Sequence, residues 1–174
     1  MKIRCVWEHN GSDSLLYSDN YIGAFTRGAT KDIALSKMTD EIKSYLNWKK
    51  DLEPETFEIE IVQEKSSGLN ICDADSDVLF DTEKGKMDFI EYQELKSLAL
   101  CSAQDFLTLY ESIPDKDRSC LPVRQTFYGK MPRTAFEMYE HTKNVNDYYF
   151  GEIGIDADNE GTILACRMRG FALL

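Results

Sequence analysis

Basic residues are scarce in this chain. Against 20 Lys and Arg stand 31 Asp and Glu, a net charge of −11. The deficit holds on both sides of Asn70, with nine basic against twelve acidic residues before it and eleven against nineteen after it. Binding to nucleic acid depends on Lys and Arg neutralising phosphates, so neither part suits that task. An anionic membrane surface is disfavoured on the same ground. Long hydrophobic runs are also missing, and no stretch is apolar enough to span a bilayer. The first residues, Met1-Lys-Ile-Arg-Cys-Val-Trp-Glu8, alternate and carry charge, unlike a signal peptide. The five cysteines (Cys5, Cys72, Cys101, Cys120 and Cys166) are odd in number, irregularly spaced and without a C-x-x-C pair. That excludes a disulfide framework and a zinc knuckle, and suits reduced thiols in a cytoplasmic protein. Histidine is rarer still, with only His9 and His141.

What is present is a 174-residue chain with 43% hydrophobic residues, enough for one large core or two small ones. In Lys2–Glu8, Ile3, Cys5 and Trp7 alternate with Lys2, Arg4 and Glu8, Val6 being the exception, which predicts a half-buried strand. Leu15–Tyr17 predicts a second strand and Tyr21–Thr26 a third. Thr30 is placed as an N-cap with Asp32 in the first turn. Ala34, Met38, Ile42, Tyr45 and Leu46 form the buried stripe of the helix it starts. Phe57, Ile59 and Ile61 alternate with acids in a fourth strand. The fold class expected is α+β: a small antiparallel sheet with one helix (βββαβ, residues 1–66), then a partial up-down helical bundle. Residues 67–87 read as an acidic linker or hairpin. Asp73, Asp75 and Asp77 invite a calcium reading, but Val78 and Lys84 occupy the glycine and glutamate positions of an EF-hand loop. The turn from Asp156 to Gly161 fails likewise at Arg167.

The bundle, residues 88–174, opens on Asp88 with Glu91 in a capping-box arrangement. Tyr92, Leu95, Ala99, Ser102, Phe106, Leu109 and Ile113 share a face, and Pro114 stops the helix. A long loop, 115–131, carries Arg118, Arg124 and Lys130, with Arg133 just beyond it. Their ordinary fate is a solvated rim. Residues 133–153 predict one amphipathic helix, with Thr134 as N-cap, Glu137 completing a capping box and Gly154 beyond its end. Met138, His141, Val145, Tyr148 and Glu152 fall on one stripe, so His141 is expected to face inward. An inward imidazole needs a hydrogen-bond partner, a metal or a proton to trade. The bland alternative is a core histidine bonded to a tyrosine, carboxylate or water. Met138, Val145, Tyr148 and Tyr149 are the expected pocket around it. Cys101 and Cys166 are expected to be buried structural thiols. A last helix is expected over 159–174. No capping signal follows Leu174, so the end reads as cut rather than finished.

The stretch Tyr21-Ile-Gly-Ala-Phe-Thr-Arg-Gly-Ala-Thr-Lys-Asp-Ile-Ala34 resembles the HicB-like antitoxin fold in its strand, glycine-threonine turn and helix entry. That resemblance implies pairing with a toxin and a separate DNA-binding segment. No basic ribbon or helix-turn-helix is present here. Leu98–Phe106, Ser112–Asp117, Phe127–Thr134 and above all Met138–Tyr149 resemble the DinB-like family. That resemblance implies an up-down-down-up four-helix bundle. It also implies a divalent metal held by one histidine of the second helix and a His-x-x-x-His pair of the fourth, and transferase or hydrolase chemistry. His141 matches the first ligand, and the pair has no counterpart. Zn, Ni or Mn is therefore expected in full-length relatives and no metal in this chain alone, since one imidazole cannot hold such an ion. The leading expectation is a non-catalytic or interaction protein that self-associates through exposed helix faces, a different protein partner being a further option. The alternatives are a DinB-type metal enzyme completed by further residues or a second chain, and an antitoxin-type binding module.

Overall fold

The computed structural model describes residues 1–73, 75–119 and 121–174. The chain divides into two compact units, Met1–Lys86 and Met87–Leu174. In the first, strands β1 (Lys2–His9), β2 (Ser14–Ser18), β3 (Phe25–Gly28) and β4 (Glu58–Ser66) form one sheet in the order β3-β2-β1-β4. Helix α1 (Lys31–Lys49) lies between β3 and β4 in sequence. The sheet is mixed rather than antiparallel: β1–β2 and β2–β3 pair antiparallel, but β4 runs parallel to β1. The cause is the crossover. A helix reverses the chain, so β4 leaves it in the direction of β3, which is also that of β1.

Helix α1 starts as its residues dictate, with Thr30 Oγ1 accepting the Ile33 N–H at 3.3 Å. It ends on Lys50, a left-handed cap at φ 60°. Its buried stripe, Ala34, Met38, Ile42 and Leu46, packs on Ile3, Cys5 and Leu16 of the sheet. The other face of the sheet holds Val6, Glu8 and Leu15, all buried although none belongs to the helix-side core. A register shift between Cys5 and Val6 pairs Cys5 with Ile61 and Val6 with Gln63, leaving Val62 as a bulge.

Residues 67–86 lie in this first unit, as a strap across that second face. Ile71, in a short 3-10 turn, is fully buried. Asn10 Nδ2 donates to Leu69 O at 2.9 Å and Arg27 to Cys72 O at 3.0 Å. Gln63 donates to Leu79 O and accepts from the Asp81 N–H. Both sheet edges are blunted. Lys37 donates to Arg27 O on β3 at 2.6 Å, and β4 carries Glu58, Glu60 and Glu64 beside its bulge.

The second unit consists of α2 (Phe89–Ser112), a two-rung hairpin of β5 (Gln125–Thr126) and β6 (Gly129–Lys130), α3 (Ala135–Asn144), α4 (Asn146–Gly151) and α5 (Ile163–Ala172). Asp88 caps α2 through the Glu91 N–H at 2.9 Å, and Thr162 caps α5 through Ala165 N at 3.2 Å. Helix α5 is thus shorter than the stretch 159–174 expected for it. Helix α2 packs against α5 and α3 around Ala103, Tyr139 and Ile163. Its covered face includes Tyr92, Leu95, Ala99 and Phe106 as expected, but Ser102 and Leu109 are exposed. Among the described residues no helix is long and apolar enough to cross a membrane.

Candidate functional site

The expected single helix over 133–153 is two helices, broken at Val145. Side chains remove two rungs of the ladder there. Asn159 accepts the Asp147 N–H at 3.1 Å and donates to Asn144 O at 3.1 Å, while Tyr148 N–H turns to Asp147 Oδ1 at 2.7 Å. The beginning of α3 follows the sequence closely. Thr134 accepts from Glu137 N at 3.0 Å, and Glu137 accepts from Thr134 N at 3.2 Å and Arg133 N at 2.8 Å, a complete capping box. The Arg133 N–H, then Lys130 and the Thr134 N–H, hold the Glu137 carboxyl below its usual range.

The face of α3 that turns inward is not the expected one. His141, Met138, Tyr148 and Tyr149 are exposed and Val145 is half-buried, whereas Tyr139, Asn146 and Phe150 are buried. The inward positions are Tyr139 and Asn146 instead of Met138 and Val145, and Phe150 instead of Tyr148, so His141 is exposed and the expected pocket is an outer surface. The cause is a choice between two adjacent stripes. Met138–Val145–Tyr148 looks the more apolar in sequence, because Asn146 interrupts the other. Tyr139 decides for the second. Its ring stacks on Tyr110 with centroids 4.0 Å apart and on Phe106 at 5.8 Å, and its hydroxyl accepts the Ile163 N–H at 3.0 Å. That bond satisfies an orphan donor at the start of α5.

Asn146, fully buried, is tolerated because both its amide nitrogen and its amide oxygen are bonded. Its Nδ2 donates to Asp158 O at 2.8 Å and its Oδ1 accepts from Arg167 at 2.6 Å. Arg167 also donates to Thr142 O at 3.2 Å, and burial lowers its pKa from the ordinary guanidinium value. Next to it, Arg169 forks onto Asp158 and reaches Glu160 O. Arg169 holds the Asp158 carboxyl below its usual range. Beside this lock lies a shallow open groove lined by Asp147, Tyr148, Gly151, Glu152, Gly154, Ile155, Asp156 and Ala157.

Among the described residues no group of three His, Cys, Asp or Glu side chains is gathered as a metal would need. That covers the sets around Asp73, Asp75 and Asp77 and around Asp156. Cys166 is buried with its thiol on Glu160 O, but Cys101 is exposed, contrary to expectation. Cys120 lies outside the described residues. In the loop, Lys130 pairs with Glu137 at 3.0 Å.

One constellation escaped the sequence reading. Glu8 is fully buried on the strapped face of the sheet. Its carboxylate accepts from Ser76 Oγ at 2.5 Å and from the Asp77 N–H at 3.2 Å, and Tyr17 donates to the same serine hydroxyl at 2.9 Å. Alternation places Glu8 opposite Trp7, but nothing local tells that a segment almost seventy residues away covers it. The arrangement fastens the strap and has no open approach for a substrate.

Searches against protein-family models, curated proteins and solved structures found no match to this chain.

Proposed function

We propose that this is a non-catalytic interaction protein that self-associates through uncovered faces of its helical unit. One contrast carries the reading. Among the described residues, the first unit buries eleven apolar side chains and leaves seven large ones exposed, while the second buries five (Ala103, Tyr139, Phe150, Ile163 and Cys166) and exposes sixteen. Two units of nearly equal length thus differ in whether their apolar surface is covered. Exposed apolar area of that extent marks an interface.

Six of the sixteen, Met87, Phe89, Ile90, Met168, Leu173 and Leu174, lie where α2 begins and towards the end of α5. Phe89 and Ile90 are 74% and 69% exposed, Met168 and Leu173 55% and 57%. Lys96 of α2 lies over the Phe171 ring of α5 at 5.7 Å, so these two ends are neighbours. The blunted sheet edges make the first unit the poorer candidate. Within the DinB-like resemblance, the second copy takes the place of the bundle's fourth helix. The HicB-like resemblance of the first unit is supported by the βββαβ order, and a cytoplasmic location by the free thiols. Sedimentation velocity on the full chain over a range of concentrations tests the proposal. It predicts a dimer or larger species at micromolar protein, and a stable monodisperse monomer opposes it.

A further inference from the structure

The α3–α4 surface differs from the α2–α5 ends in its charge. Tyr148 and Tyr149, 60% and 63% exposed, meet edge to face with centroids 5.3 Å apart, and Met138 is exposed on the preceding helix. Asp147, Glu152 and Asp156 line the groove beside Tyr148. The positive groups of this part of the unit are turned away or occupied. Arg167 points inward to Asn146 and Thr142, Arg169 is held by Asp158, and Lys143 pairs with Glu140 with its side chain only 13% exposed. The surface therefore offers aromatic faces and carboxylates, with the neighbouring cations already spent on internal contacts.

A second copy is a poor occupant for this surface. Two copies meeting at this face would set Asp147, Glu152 and Asp156 against the same three carboxylates, and like charges so placed suppress association. Lysine and arginine suit both halves of it: their charge complements the carboxylates, and their cationic heads lie favourably over tyrosine rings.

We infer that the α3–α4 surface docks a lysine- or arginine-bearing amphipathic segment of a different protein. The inference rests on the interaction-protein reading, yet concerns a different face and a different occupant from the self-association proposed above.

The test uses the full chain and a fluorescently labelled synthetic Lys/Leu amphipathic helix, with a Glu/Leu helix of the same length as control. Anisotropy is expected to show saturable binding of the lysine peptide only, weakened at least about tenfold by raising salt from roughly 0.05 to 0.5 M. Tyr148→Ser with Tyr149→Ser is expected to abolish it, as is Glu152→Lys with Asp156→Lys. Glu58→Lys with Glu60→Lys, on β4, makes the same change of charge elsewhere and is expected to change nothing. Circular dichroism of each variant confirms that its helices persist. The inference is overturned if the tyrosine variant binds as well as the parent, or if the β4 variant weakens binding as much as the groove variant. Sedimentation of the same variants separates the two proposals: peptide binding by a strictly monomeric chain leaves this inference standing and removes self-association, and the converse result removes this one alone.

Discussion

Replacing Glu8 by alanine should free the strap while leaving the helix-side core intact. In the folded chain the carboxylate accepts two hydrogen bonds, from Ser76 Oγ and the Asp77 N–H, with no water-exposed surface of its own. Bonds to a charged acceptor contribute about 1.5–3 kcal/mol each. These figures are already net of desolvation, so two bonds at the lower value put the loss in local opening free energy at about 3 kcal/mol, on the order of a hundredfold in the population of the released strap. Glu8→Gln keeps the shape but only one of the two acceptor oxygens, so the charge assistance and one accepted bond go, while its NH2 can still donate to the Ser76 hydroxyl, a loss of about 1–2 kcal/mol. Tyr17→Phe removes the outer bond to the Ser76 hydroxyl and should cost still less. Hydrogen exchange resolves the effect. The Asp81 amide, bonded to Gln63 rather than to Glu8, reports release of the strap. Its exchange should accelerate strongly in Glu8→Ala, mildly in Glu8→Gln and least in Tyr17→Phe, while amides of α1 stay unchanged. Equal acceleration in α1 and the strap, or none in Glu8→Ala, would refute the assignment of Glu8 as the fastening.

Three further outcomes are expected. At Gly170 an added Cβ would fall inside the contact distance of the Phe150 ring, so Gly170→Ala should destabilise the second unit by about 1–3 kcal/mol, with little effect on the first, as urea unfolding followed by circular dichroism will show. Burial, with Asp19 nearby, pushes the Cys5 thiol up to about 12. At mildly alkaline pH, iodoacetamide should therefore modify exposed Cys72 and Cys101 in the native chain and leave Cys5 and buried Cys166 intact, with mass spectrometry as readout. Glu137 and Asp158 have folded pKa values below their unfolded ones. Their stabilisation is present above the unfolded carboxylate values and is lost as pH falls through the folded ones, so the stability difference between wild type and Glu137→Gln should vanish on acidification.

Much of the architecture is legible in the residues because it is local. Thr30, Asp88 and Thr134 all cap helices through their own side chains, as their positions predict, whereas the cap at Thr162 falls inside a last helix expected to start earlier. The core stripe of α1 follows from its spacing, Tyr45 alone lying at its half-buried margin. Non-local determinants are the illegible part. The direction of β4 depends on the crossover rather than on any residue within it. The fate of 67–86 depends on Glu8, and the break at Val145 on the side chain of Asn159. The register of α3 was a choice between adjacent stripes, and it turned on Tyr139 finding Tyr110 and on a buried Asn146 finding Arg167. Met138 and His141 face solvent from α3, and the row expected to run on through Val145 to Tyr148 and Glu152 is interrupted by the break between α3 and α4.

The central claim, that the helical unit completes its core on another copy, predicts a stability that depends on protein concentration for that unit alone. The chain offers a built-in separation of signals, because Trp7 and Trp48 both lie in the first unit. Urea unfolding should give a tryptophan transition whose midpoint is independent of concentration, shared by the α1 part of the far-ultraviolet signal, and a second far-ultraviolet transition from α2–α5 that gains about 1.4 kcal/mol for each tenfold increase in protein. Two transitions that both stay fixed across that range would contradict it.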